Sequence, residues 1–259
     1  MKKFIILLLA ALLIAGVFVS CKEDPKPEPD AFKGTWKGKD SDDCEYTIVC
    51  DGFGKVTYTL KDGDDTQTVE GTYEASGNYV TLKLKQEIEP SSNYIYLHLV
   101  TAQDVTDYGL PADFEGKYII HDDAASSAWV FPDDYEPTED YPFTKDGDNY
   151  AFNSASFGPS KFVLDISIKM ASSSATVSET ESVYKDPYDP EAANELLCSE
   201  ATIGDFTCNE VSADPLEYRL DSTTELSAVM KTQYKLTSTT LTIKVYANGD
   251  VEDLILEKE

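Results

Sequence analysis

Arginine is almost missing from this chain of 259 residues; Arg219 is the only one. Carboxylate or phosphate clamps built from several guanidinium forks are therefore excluded. Histidine is nearly as scarce, with only His98 and His121, and no C-x-x-C spacing occurs. The usual ligand sets of a structural zinc site are thus not supplied by sequence neighbours. No G-x-S-x-G nucleophile elbow is present, so the serines give no support to nucleophilic catalysis. Basic residues are few overall: 21 Lys and Arg stand against 48 Asp and Glu, a formal charge of −27. Such a surface repels nucleic acid and anionic head groups, which excludes DNA or RNA as a partner. We read the chain as non-enzymatic, with no cofactor and no metal.

The acids are plentiful, but their clusters look like turns. Asp40-Ser41-Asp42-Asp43, Asp62-Gly63-Asp64-Asp65 and Asp146-Gly147-Asp148-Asn149 offer oxygen ligands for calcium. None has the twelve-residue spacing that ends in a bidentate Glu, and turn chemistry accounts for them equally well. His121-Asp122-Asp123 reads as a solvated loop, and His98 as part of an aromatic stripe with Tyr94 and Tyr96.

What the chain does have is concentrated first at its amino end. Met1-Lys2-Lys3 precedes the apolar run Phe4 to Val19, followed by Ser20-Cys21. Its sixteen apolar residues are fewer than the roughly 20 needed to cross a bilayer core, so the run reads as a signal h-region. The layout resembles the signal peptide and lipobox of bacterial lipoproteins. That resemblance implies cleavage after residue 20, acylation of Cys21, and attachment to the membrane through that lipid. Two or more acyl chains hold a protein stably, at about 0.8 kcal/mol per buried CH₂. Removal of residues 1–20 takes Lys2 and Lys3 and no acid, which leaves 19 basic residues against 48 acids and a charge of −29. Residues 21–31, with Pro25, Pro27 and Pro29 among charges, read as an extended tether at roughly 3 Å per residue. Lys22-Glu23-Asp24 is similar to the acidic tracts that follow the lipidated cysteine in some surface-exposed lipoproteins of Bacteroidota. The expected place is the bacterial cell envelope, as an outer-membrane lipoprotein facing the periplasm or the outside.

Cys44, Cys50, Cys198 and Cys208 remain after Cys21. In an oxidising compartment the simplest of three connectivities is local, Cys44 with Cys50 and Cys198 with Cys208; free thiols are the other reading.

From Phe32 onward the hydrophobic period is two. Val80, Leu82 and Leu84 alternate with polar residues, as do Ile95, Leu97 and Leu99, Phe162 to Ile168, and Leu241, Ile243 and Val245. Each reads as a half-buried strand. Hairpin signals stand between them at Asp51-Gly52, Asp62-Gly63, Gly77-Asn78, Asp146-Gly147 and Asn248-Gly249. The fold class is all-β, an antiparallel barrel or sandwich. One short helix is predicted from Asp189-Pro190 through Leu197, inside a polar insertion at about 172–215.

A repeat runs through the β region. Phe32-Lys33-Gly34-Thr35-Trp36 returns as Phe114-Glu115-Gly116-Lys117-Tyr118, and Tyr73 to Lys85 aligns without a gap on Tyr234 to Tyr246. Two tandem units, 32–105 and 114–259, would explain both. Gly34-Thr35-Trp36 after Phe32 resembles the G-x-W signature of lipocalins and of shorter lipocalin-like bacterial lipoproteins. In lipocalins that tryptophan closes one end of an up-and-down barrel beneath an arginine; here the first unit contains none. The resemblance implies that each unit is a barrel or half-open sheet able to hold a small lipophilic molecule, with Trp36 and Tyr118 as ligand contacts. Read from the residues, both are first of all core side chains. The function expected is a membrane-anchored, non-catalytic interaction or binding module with a protein partner; the alternative is a lipocalin-like carrier of a small lipophilic ligand.

Overall fold

The computed structural model describes residues 28–87, 94–123, 142–185, 188, 194–213, 216–247 and 250–259. The signal segment, Cys21 and most of the tether lie outside the described residues. The first five strands form an antiparallel meander: β1 (Gly34–Lys39), β2 (Glu45–Cys50), β3 (Lys55–Asp62), β4 (Asp65–Ser76) and β5 (Tyr79–Glu87). Their turns are those the sequence marks. Asp62 pairs with Asp65 around Gly63-Asp64, and Gly63 has φ +57, as a tight hairpin requires.

β6 (Tyr94–Leu99), helix α1 (Ala102–Tyr108), a 3-10 turn (Ala112–Phe114) and β7 (Tyr118–Asp123) follow. Then come β8 (Thr144–Asp146), β9 (Asn149–Phe157), β10 (Lys161–Met170), β11 (Ser174–Tyr184) and β12 (Leu196–Ala213). The chain ends in β13 (Leu216–Leu236), β14 (Thr240–Ala247) and β15 (Asp250–Lys258).

Eight strands close into an antiparallel barrel. β1 to β5 are joined by β13, β14 and β15; β13 pairs with β5 on one edge and with β14 on the other, and β15 returns to β1. The barrel therefore takes strands from both ends of the chain, and the boundary between 105 and 114 does not bound it. The Tyr73–Lys85 and Tyr234–Tyr246 segments, aligned as a repeat, are two hairpins of this one barrel. Its inward residues include Val56, Tyr58, Leu60, Val80, Leu82, Leu84, Leu241, Ile243, Leu254 and Leu256, all buried. Each contributes about 1.5–3 kcal/mol by leaving water.

The remaining strands line up as β7-β6-β13-β12-β11-β10-β9-β8. β13 is 21 residues long and serves both assemblies: residues 217–221 pair with β6 and residues 225–233 with β5. One bridge joins the two ends of the second row, where Tyr118 and Phe143 exchange backbone hydrogen bonds of 3.0 and 2.6 Å. Its core holds Leu97, Phe143, Tyr150, Ile168, Phe206 and Leu220.

Three sequence expectations need correction. The segment 172–215 is not an excursion, because β11 and β12 lie within it and are paired across ten residues or more. Its polar residues alternate with Ala175, Val177 and Val183, a pattern that a two-sided count of polarity hides. The helix predicted from Asp189 begins on residues 189–193, outside the described residues, and its last two residues, Leu196 and Leu197, open β12. The α-helix among the described residues is α1 instead, set by a capping box between Thr101 and Asp104 and stopped by Gly109 in the left-handed conformation. Finally, β6 is buried on both faces. Tyr96 and His98 are as enclosed as Leu97, and Val100, Leu110, Phe114 and Ile119 form a small core beside them.

Candidate functional site

Two places in this fold could carry function: the end of the barrel around Trp36, and the end of the second row around Lys145.

The barrel end is a stack of aromatic rings. Trp36, on β1, has no exposed surface, and its Nε1–H donates to the Phe32 carbonyl at 2.7 Å. The Phe32 ring sits between Tyr73 and Tyr234, with centroids 5.5 and 5.1 Å away. The Tyr73 hydroxyl donates to the Asp30 carboxylate at 2.7 Å, and Asp30 also accepts the Phe32 amide at 2.9 Å. Burial pushes the Tyr73 phenol well above its ordinary pKa, and the Asp30 carboxylate adds to the shift.

Above the indole lies Lys258. β15 places it directly opposite Trp36 in the ladder, so both side chains share a face, and its Nζ is 4.8 Å from the ring centroid. A lysine of the last strand thus covers the tryptophan ring. Gly34 makes room for the lysine stem. A Cβ at that position would come 2.5 Å from Lys258 Cε, and its φ of +142 suits glycine. The G-x-W spacing thus has a physical cause: the glycine precedes the tryptophan by two on the same face and admits the chain that covers it.

Tyr118 stands in a related setting. It starts β7, packs edge-on against Tyr150 at 4.8 Å, and has the Lys145 ammonium 5.7 Å from its ring. Like Trp36, it is a core side chain. Beside it opens a cavity of about 300 Å³, lined by Lys145, Asp148, Tyr150, Met170, Cys208, Glu210 and Tyr218 among others. The β8–β9 and β10–β11 turns meet the last third of β12 and the start of β13 here. Lys145 Nζ is 5.1 Å from the Tyr150 ring. Burial raises the pKa of Tyr118, Tyr150 and Tyr218, and burial followed by the Glu210 charge raises that of Cys208. All four groups are therefore neutral and protonated near pH 7, able to donate hydrogen bonds. A second hollow of about 290 Å³ lies along Lys37–Lys39 and Glu45–Thr47.

The cysteines do not pair as expected; all four are unbridged. Cys44 stands just before β2 and Cys50 ends it, six steps apart at about 3.3 Å each, or roughly 20 Å along an extended strand. A disulfide requires Cα atoms about 4.4–6.8 Å apart. Cys198 and Cys208 are ten residues apart on β12 and fail the same test. Burial pushes the Cys50 and Cys198 thiols up to about 12.

The histidine and acid candidates separate. His98 is enclosed between Asp104, 3.3 Å from Nε2, and Glu217, 3.8 Å from Nδ1. It ties β6 to α1 and β13; these groups do not form a metal-holding set. Only the backbone of His121 is described, paired with Tyr96 in the β6–β7 ladder. Asp40 is used locally: its carboxylate accepts the Asp42 and Cys44 amides at 3.0 and 2.9 Å and the Tyr46 hydroxyl at 2.9 Å. Lys258, Lys145, Tyr150 and Tyr218 were not legible as site residues. The Asp146-Gly147 hairpin signal and the repeat ending at Tyr118 come nearest to marking them.

These features define an antiparallel β-barrel protein with a second β row sharing one long strand. Compared with protein families, curated proteins and solved structures, the chain matches none.

Proposed function

We propose that the mature protein is an outer-membrane lipoprotein of the bacterial cell envelope, anchored through acylated Cys21 and held off the membrane by residues 21–31. It works as a non-catalytic binding or interaction module facing the periplasm or the outside. The lipobox layout of residues 1–21 supports the location. The observation that carries the role is the packing of the barrel: Trp36, Phe32, Tyr58, Tyr73 and the aliphatic residues of eight strands fill its interior, and Lys258 covers the ring at its end. A barrel filled in this way serves as scaffold, and recognition falls to surfaces outside it. A carrier of a lipophilic molecule needs an apolar cavity of several hundred cubic ångströms, and the cavity beside Tyr118 is polar-lined and lies elsewhere.

The second row is, on this reading, a unit related to the first. The Phe-x-Gly-x-aromatic motif recurs with a lysine over its aromatic ring in both, Lys258 over Trp36 and Lys145 over Tyr118.

Trp36 fluorescence tests the role. Trp129→Phe leaves Trp36 as the sole tryptophan, and its emission in the chain from Lys22 onward should stay unchanged as a fatty acid is added. A saturable change in emission would favour the lipophile carrier instead.

A further inference from the structure

The cavity at the end of the second row has a lining whose chemistry selects among ligands. Lys145 brings an ammonium, and Tyr150 and Tyr218 bring phenolic hydroxyls that both donate and accept. Asp148 and Glu210 bring carboxylates that only accept, and Met170 gives an apolar wall. Tyr150 lines the cavity but is 1% exposed as a residue, and its hydroxyl is hydrogen-bonded to those of Tyr118 and Tyr218, so the polar groups open to a ligand are Lys145, Asp148, Glu210 and Tyr218. Donors and acceptors are therefore both present, and one positive charge shares the lining with two negative ones.

This balance argues against charged ligands. A free anion would gain Lys145 but meet Asp148, Glu210 and the field of a chain carrying −27. A free cation would meet Lys145. A lipophile would take water from the Asp148 and Glu210 carboxylates and from the Lys145 ammonium without offering them partners, at a cost that its own burial does not offset. A neutral molecule with many hydroxyls satisfies every group at once. Each of its hydroxyls can accept from lysine or tyrosine and donate to a carboxylate, while its C–H faces rest on Met170 and the tyrosine rings. At about 300 Å³ the space is at the small end of ligand sites, which suits one or two sugar rings.

We propose that this cavity is a binding site for a neutral saccharide, with Lys145, Tyr218, Asp148 and Glu210 as its hydrogen-bonding groups. The proposal rests on the binding-module reading above and gives that module its ligand class.

The mature chain has two methionines, and they report on different places: Met170 lines the cavity, and Met230 packs against the barrel core. The chain from Lys22 onward, which retains every described strand, is labelled with methyl-¹³C methionine. It is then titrated with glucose, galactose, N-acetylglucosamine, maltose and cellobiose up to tens of millimolar. Glucuronate, glucosamine and a fatty acid serve as controls. At least one neutral sugar should move the Met170 signal saturably while Met230 stays in place. Tyr218→Phe and Lys145→Gln should each weaken that sugar about tenfold, the size expected when a hydrogen bond to a polar or charged group is lost, with melting lowered by no more than about 2–4 °C. No Met170 response to any neutral sugar overturns the proposal, as does a response to glucuronate or glucosamine alone, or one that both variants leave intact. A fatty acid that moves Met230 would instead overturn the binding-module reading itself, since that signal comes from the barrel.

Discussion

Replacing Trp36 with alanine tests the barrel most severely, and the structure sets the size of the effect. The indole is wholly buried, and truncating a buried aromatic typically costs about 3–5 kcal/mol through lost transfer and a residual cavity. The Phe32 carbonyl loses its 2.7 Å partner, which adds about 1 kcal/mol. The Lys258 ammonium loses the ring face 4.8 Å beneath it, worth about 0.5–1 kcal/mol at a site this open. These terms are not additive in full, so a loss of about 4–6 kcal/mol is expected. For a chain of this size each kcal/mol shifts melting by about 2–4 °C, and the variant should melt some 10–20 °C lower. Trp36→Phe keeps a ring but not the donor and should fall between. The assay is urea unfolding of the chain from Lys22 onward, followed by far-ultraviolet circular dichroism, with the m-value checked for constancy. A Trp36→Ala protein within about 1 kcal/mol of wild type would refute the packing described for this barrel.

Gly34→Ala should destabilise by about 1–3 kcal/mol, because it forces a Cβ against Lys258 Cε and strains a φ of +142; Lys258→Ala in the same chain should recover part of that loss, whereas strict additivity would show that the two side chains do not meet. Peptide mapping of the unreduced protein should find neither a Cys44–Cys50 nor a Cys198–Cys208 bridge, and a thiol reagent should modify Cys44 and Cys208 well before buried Cys50 and Cys198. Stability should also fall above pH 9. The Cys50 and Cys198 thiols are held at about 12 in the folded state against 9.0 as model groups. Their contribution is complete below the unfolded value and lost as pH rises through the folded one, at up to about 1.4 kcal/mol per pH unit for each. Urea midpoints at pH 8 and pH 10.5 measure this, and a Cys50→Val variant with an undiminished slope would argue that the thiol is not the source.

The parts of this fold legible in the sequence are those set by local chemistry. Alternation in Val80-Thr81-Leu82-Lys83-Leu84 gives a strand with one inward face, and Asp62-Gly63 and Gly77-Asn78 give hairpins, because side-chain direction and φ are decided within a few residues. Closure is decided elsewhere. That β15 lies on β1, 222 residues away at the Lys37–Glu259 contact, has no local signature, so the two units drawn along the sequence do not coincide with the barrel. The same holds for α1: its apolar content is slight, and its register is fixed by Thr101 and Asp104, a weaker mark than the Asp-Pro start at 189. β6 misleads for a different reason. Tyr96 and His98 alternate with Ile95, Leu97 and Leu99 as on a half-buried strand, yet both are buried, and Asp104 and Glu217 flank the His98 ring. Trp36 is identifiable as a core residue from its G-x-W context; the lysine above it is not, since only the β1–β15 register brings Lys258 there. The cavity lining is equally non-local, drawn from the β8–β9 and β10–β11 turns, β12 and β13.

The proposal above is of a lipid-anchored protein whose barrel carries no lipophile, and one intact-mass measurement on material purified from bacterial membranes in detergent addresses both halves. Spectra taken under native and denaturing conditions should give the same mass, that of a chain beginning at Cys21 with its acyl groups attached. An uncut amino terminus, or a stoichiometric lipid present in the native spectrum and lost on denaturation, would contradict it.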